Sequence, residues 1–160
     1  MGAGTMIATA IAITLLIITG YVLISGTLST AQLVAMAQQA AAERETHKMH
    51  TRVEIVNATL NTDTSQTFVE VKNTGSEVVG DFNHMEVYLL QGGVPYTYTN
   101  LVGIWTYAIQ PDQVNPGLLD PDEIVNITVP YEAARGDPSW VKVTTVNGVY
   151  DSAYLPCSPC

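Results

Sequence analysis

No charged side chain occurs between Met1 and Ala42, and within that stretch Ile7 to Ile24 is apolar on all sides apart from Thr9, Thr14, Thr19 and the Tyr21 hydroxyl. A run of ~18 or more such residues is what a helix needs to cross a bilayer. A helix without a polar face cannot rest against water, so it must be surrounded by lipid or by other copies of itself. Any fold available to this chain must therefore begin with a stem that a soluble core would not normally carry.

The stem outlasts the membrane. Ala31 to Ala42 is almost entirely strong helix former and leads directly into Glu43, Arg44, Glu45 and Lys48. One helix from about Gly4 to Met49 would be ~65 to 70 Å long, against a hydrocarbon thickness of ~30 Å. Leu33, Val34 and Met36, set among alanines, suit contact with neighbouring helices. Gly20, Ser25, Gly26, Ser29 and Thr30 are where the rod is expected to bend or unwind. Gly4, Ala8 and Ala12 recur every four residues and offer a smooth strip for close helix approach. Together with Leu16, Leu33 and Ala35 they form the expected packing surface of a polymer core. The same row has a plainer reading, because glycine and alanine are common in membrane helices of every kind. A secretory signal would carry basic residues ahead of the apolar run, whereas the first cation here is Arg44, so the segment is expected to be retained.

Behind the stem, residues 51–160 are enough for one compact domain, of the ~100 to 150 residues that domains most often have. They hold 13 acids against the four bases Arg52, Lys72, Arg135 and Lys142, so the formal charge of −9 belongs to this part of the chain. An acidic domain is repelled by nucleic acid and by anionic lipid headgroups, which argues against nucleic-acid binding.

From Thr51 the hydrophobic period becomes two. Arg52 to Asn57 and Thr67 to Lys72 alternate as half-buried strands, the second ending in the turn residues Asn73-Thr74-Gly75-Ser76. Further strands are expected at Met85–Leu90, Tyr96–Thr99, Ile104–Ile109 and Glu123–Val129. Trp140 to Val146 followed by Asn147-Gly148 predicts a hairpin with a type I′ turn. About seven short strands with turns every ten or so residues describe an immunoglobulin-like β-sandwich, so the fold class is α+β, with the long N-terminal helix at 1–50 and the sandwich at 51–160. Pro111 to Glu123, with three prolines, reads as a loop.

Chemistry-bearing residues are few. Asn57-Ala-Thr and Asn126-Ile-Thr are candidate N-glycosylation sites and fit an exported, outward-facing domain, although such triplets also arise by chance. Cys157 and Cys160 cannot complete a four-ligand zinc site; they read as a small disulfide loop or as two free thiols. His47 and His50 lie one turn apart without an evident third ligand, so a solvated neck is the plainer reading. Asp112, Asp120, Asp122 and Glu123 lack the spacing of a helix-loop-helix calcium site and read as a solvated acidic loop. Tyr96 and Tyr98 project to one face of a strand and are the candidates for an outward contact, while aromatics in general fill or cover the core. No nucleophile elbow, phosphate loop or dinucleotide fingerprint is present, so neither an enzyme nor a cofactor is expected.

The uncharged Met-Gly-Ala-Gly start, the long apolar helix, Val69-Glu-Val-Lys-Asn-Thr-Gly-Ser76 and Asn115-Pro-Gly-Leu-Leu-Asp-Pro-Asp-Glu123 together resemble the archaellum pilin-like proteins of the type IV pilin superfamily. The similarity is closest to the accessory proteins F and G of that motility machine and looser to archaellins, the filament subunits. It implies helices that bundle into a filament core or anchor the subunit in the membrane, with β-domains outside that contact one another or the surface layer. Two departures stand out. The basic leader of archaellins and pilins is missing, which puts cleavage in question, and Thr5 stands where bacterial pilins have glutamate. The expectation is a structural subunit of an archaellum-like filament, membrane-inserted before assembly and extracellular afterwards, with homo-oligomeric partners. The alternative is a membrane-anchored accessory or stator protein whose β-domain binds the surface layer.

Overall fold

The computed structural model describes residues 2–100, 103–112 and 114–156, and the chain divides into two compact units, Met1–Glu43 and Arg44–Cys160. A single helix, α1 (Ala3–His50), makes up the first unit and continues into the second. It runs without interruption through Gly20 and Gly26, where bending or unwinding was expected. Every threonine between residues 5 and 30 turns its hydroxyl back to a carbonyl three or four residues earlier, for example Thr14 to Ala10 at 2.8 Å and Thr30 to Gly26 at 2.9 Å. These hydroxyls are thereby satisfied inside the helix, which is what an apolar surrounding demands of a polar group.

The second unit is a sandwich of two four-stranded antiparallel sheets, as the period-two pattern predicted, with eight strands among the described residues where about seven were expected. The strands are β1 (Val53–Asn61), β2 (Gln66–Asn73), β3 (Glu86–Gln91), β4 (Val94–Thr99), β5 (Thr106–Gln110), β6 (Ile124–Pro130), β7 (Pro138–Thr144) and β8 (Tyr150–Tyr154). One sheet has the order β1-β2-β6-β5 and the other β4-β3-β7-β8. Their inner faces meet through Val69, Val71, Val125, Ile127 and Val129 from the first and Val87, Leu89, Val141 and Val143 from the second, all with no exposed surface. Each such side chain contributes about 1.5–3 kcal/mol by leaving water. Met85, Trp105 and Leu119 close the core.

Two local details depart from the sequence expectation. The hairpin at Asn147-Gly148 exists, but positive φ falls on Gly148 alone of the pair, at 81°. Gly148 N–H donates to Thr145 O at 2.9 Å and Thr145 N–H to Val149 O at 2.8 Å. That is a type I turn closed by a left-handed glycine, not the type I′ turn, which would need both residues at positive φ. In β1 a bulge between Ile55 and Asn57 interrupts pairing with β2, and Ile55 N–H is taken instead by Asp151 Oδ2 on β8 at 2.7 Å. One edge of each sheet is thus stitched to the other.

Candidate functional site: the helix joint and the sheet faces

Two of the segments that carry the sequence resemblance, 69–76 and 115–123, are brought together in the sandwich unit, at the last turn of α1. A helix ends with carbonyls that have no partner within the helix. Here His50 O accepts from Ser76 N–H at 3.0 Å and Glu77 N–H at 3.2 Å, and Arg52 O accepts from Thr74 N–H at 2.8 Å and Gly75 N–H at 3.0 Å. Thr51 bonds back to His47 O through both its amide and its hydroxyl. The loop after β2 therefore acts as the C-terminal cap of the stem.

Asn73 organises that loop. It is fully buried; its Oδ1 accepts from Gly75 N–H at 3.0 Å, and its Nδ2 donates to Glu77 O at 2.8 Å and Leu119 O at 3.0 Å. Its backbone exchanges hydrogen bonds with Asp122 and Glu123, and Val79 pairs with Leu119 beside it. The 115–123 loop is held by its own acids. Both Asp120 oxygens accept from Asn115, Glu123 Oε2 accepts from Asp120 N–H, Asp112 Oδ2 accepts from Gly117 N–H, and Asp122 pairs with Lys72 at 2.8 Å. Carboxylates engaged in this way build the loop instead of offering a cation site. The structural reason for Asn73 was not visible in sequence, where it read only as a turn residue.

His47 and His50 diverge. His47 Nδ1 lies 2.9 Å from Glu77 Oε1, whereas His50 Nδ1 lies 3.2 Å from Ser76 Oγ. Both fasten the cap, and among the described residues no group of three or more potential metal ligands converges. Cys157 and Cys160 lie outside the described residues. Gly4, Ala8, Ala12, Leu16, Leu33 and Ala35 are all exposed on α1.

The sheets differ in what they show outward. On the first sheet the pairings Asn57↔Glu70 and Glu70↔Asn126 put both sequon asparagines in one cross-strand row. Thr59↔Phe68↔Thr128 brings the two sequon threonines into the next row on the same face. On the second sheet, Val87↔Tyr98 and Leu89↔Tyr96 place Tyr96 and Tyr98 on the side of the buried Val87 and Leu89, correcting their assignment as outward contacts. Arg135 covers the Tyr96 ring at 4.2 Å, and the half-buried Tyr98 packs on the core and donates to Gln91 Oε1 at 3.1 Å. Burial raises the Tyr98 pKa above the ordinary tyrosine value, with Arg135 opposing. The aromatics of this sheet that do point outward, among the described residues, are Tyr88, Trp140, Tyr150 and Tyr154. Sequence reasoning missed Tyr150 and Tyr154.

Comparison with known proteins decides the family. The family described as archaeal-type flagellin matches residues 2–154. This chain belongs to that family. The flagellin-family chain is 26% identical over 156 residues to an uncharacterized protein of Archaeoglobus fulgidus, covering 96% of the chain and 95% of that relative. Among solved structures it is similar to the archaellum periplasmic stator protein complex FlaF and FlaG from Sulfolobus acidocaldarius, with 19% identity, a TM-score of 0.50, and 64% and 87% of the two chains covered. It is also similar to the archaellum periplasmic stator protein FlaG from the same organism, at 19% identity, TM-score 0.47, and 64% and 97% coverage. At that identity the likeness to the complex concerns the fold alone. The chain is an archaellum-related member of the flagellin family.

Proposed function

We propose that this protein is a membrane-anchored accessory component of the archaellum, with its sandwich outside the membrane and docked on the surface layer as part of the stationary machinery. The observation that carries the reading is the pairing of two features in one flagellin-family chain. One is a stem that is neutral and apolar for longer than a bilayer span, with its threonines satisfied internally. The other is a sandwich of the fold found in the FlaF and FlaG stator complex. Of the uncharged stem, only ~20 residues need lipid; Ala31 to Ala42 then serve as a stalk.

A second reading, a subunit of the filament itself, is favoured by one feature. At 48 residues α1 is ~72 Å long, and Leu33, Val34 and Met36 are 66%, 50% and 68% exposed beyond any lipid span. Identical copies would cover those side chains in the filament reading, whereas in the accessory reading they stand in water, spaced by alanines along the stalk. Immunogold labelling of cells and of sheared filaments distinguishes the two. Label confined to the filament base and absent from sheared filaments is the expected result. Decoration along the whole filament would replace the accessory role with the polymer.

A further inference from the structure

The outward face of the second sheet is unlike the rest of the sandwich. Cross-strand pairing aligns Pro95, Leu90, Trp140 and Tyr154 in one row, and Thr97, Tyr88, Lys142 and Ser152 in the next. Tyr150 and Tyr154 are 59% and 85% exposed. Lys142 Nζ sits 3.9 Å from the Tyr150 ring centre and 5.5 Å from that of Tyr88, and the Tyr88 hydroxyl donates to Glu86. These contacts hold the Tyr88 and Tyr150 rings, and the row of Thr97 and Ser152 sets hydroxyls beside them.

We propose that this face binds a neutral carbohydrate chain, its aromatic rings stacking on sugar C–H faces and the Lys142, Thr97 and Ser152 side chains hydrogen-bonding sugar hydroxyls. The inference rests on the surface-layer reading above and names the chemistry of that contact as glycan. Charge and area select this occupant. Lys142 and Glu86 cancel, so the face is neutral on a chain of formal charge −9, which repels anionic polymers and a second copy alike. Four strands ~4.8 Å apart with three outward positions each span about 300 Å², well under the ~800 Å² per partner of a stable protein interface. A flat strip of rings with polar groups between them suits a narrow, amphipathic chain.

The test uses the full chain in detergent micelles, titrated with neutral manno-, gluco- and galacto-oligosaccharides of four to six units and with heparin as the anionic control. Trp140 lies on this face and Trp105 is 1% exposed in the core, so tryptophan emission reports the face. At least one neutral oligosaccharide should give a saturable shift and heparin none. Tyr150→Ala and Tyr154→Ala, both at exposed sites, should each weaken binding roughly fivefold to tenfold, whereas Thr59→Ala on the opposite sheet should not. Absence of any shift with the neutral oligosaccharides, unchanged binding in the Tyr150→Ala/Tyr154→Ala double variant, or a change in oligomeric state with that variant would each overturn the proposal. A parallel arm uses purified surface-layer protein, native and chemically deglycosylated. Binding to the native form only supports the glycan. Binding to both overturns the glycan while leaving the surface-layer reading intact, and binding to neither removes that reading itself.

Discussion

Replacing Gly75 by alanine tests whether the stem is capped as described. A Cβ at position 75 would lie 2.5 Å from Arg52 N, 2.5 Å from His50 O and 3.1 Å from Thr51 C. All three are backbone atoms, so no side-chain rotation relieves the clash. The 73–77 loop must retreat by about 1 Å to restore van der Waals contact. A shift of that size carries amides now 2.8–3.2 Å from their acceptors out of hydrogen-bonding range, and four such bonds join this loop to His50 O and Arg52 O. Losing two to four of them at about 1 kcal/mol each predicts a loss of about 2–4 kcal/mol. For a domain near 110 residues this lowers the melting temperature by about 8–16 °C. The sign discriminates, because Gly75 is not among the glycines at positive φ. If space were not limiting, alanine would stabilise by about 0.4–1 kcal/mol through the unfolded chain. The assay is thermal unfolding of the full chain in mild detergent, followed by tryptophan emission, since detergent keeps the stem helical and circular dichroism would report mostly on that. Hydrogen exchange at Ser76 and Glu77 should accelerate as well. A variant that melts at or above the wild-type temperature refutes the cap.

Asn73→Ala removes three hydrogen bonds from a fully buried side chain and should cost about 2–4 kcal/mol in chemical denaturation of the full chain. Burial, and next the hydrogen bond its hydroxyl donates to Asp137, push the Tyr131 pKa up to about 12. Because the folded state favours the neutral phenol, Tyr131 contributes stability that is complete below pH 10 and is lost as pH rises toward 12; absorbance titration should show a late tyrosine step that Tyr131→Phe removes. Ala8→Glu places an unpaired carboxylate in the lipid span and should abolish membrane retention at a cost of several kcal/mol, read by fractionation. Ala35→Glu, beyond that span, should leave both membrane retention and motility intact.

Much of this fold was legible because its two halves use different periods. The stem announces itself through the missing charges, and β2 through alternation at Thr67, Val69 and Val71, all of which the structure buries. The tyrosines of β4 show where such reading stops. Period two says that Tyr96 and Tyr98 share a face, but the side is set by pairing with β3, whose Val87 and Leu89 face the core. The alternate positions Thr97 and Thr99 did hold a signal, since polar residues there point to the tyrosine side as the inner one. On β3 the signal is mixed, because the outward Glu86 is offset by the polar Gln91 on the inner face, and Leu90 is as apolar as Leu89. Asn73 was illegible for another reason: its partners Glu77 and Leu119 are backbone carbonyls, which carry no residue identity.

The same physics explains why the stem alone does not choose between anchor and filament. Its threonine hydroxyls are spent on its own carbonyls, so from Ala3 to about Ile24 it presents hydrocarbon to its surroundings, and a bilayer or a bundle of like helices solvates that surface equally well. Discrimination therefore falls to residues past the lipid, where water and helix bundle differ sharply. Position 35 lies about ten residues, or ~15 Å, beyond the lipid span. A carboxylate there is hydrated and costs almost nothing on a stalk in water, but it loses that hydration and gains no partner inside a polymer core. Full motility with Ala35→Glu is consequently what an accessory anchor requires, and loss of filaments with Ala8→Glu and Ala35→Glu alike is what a polymer spine would produce.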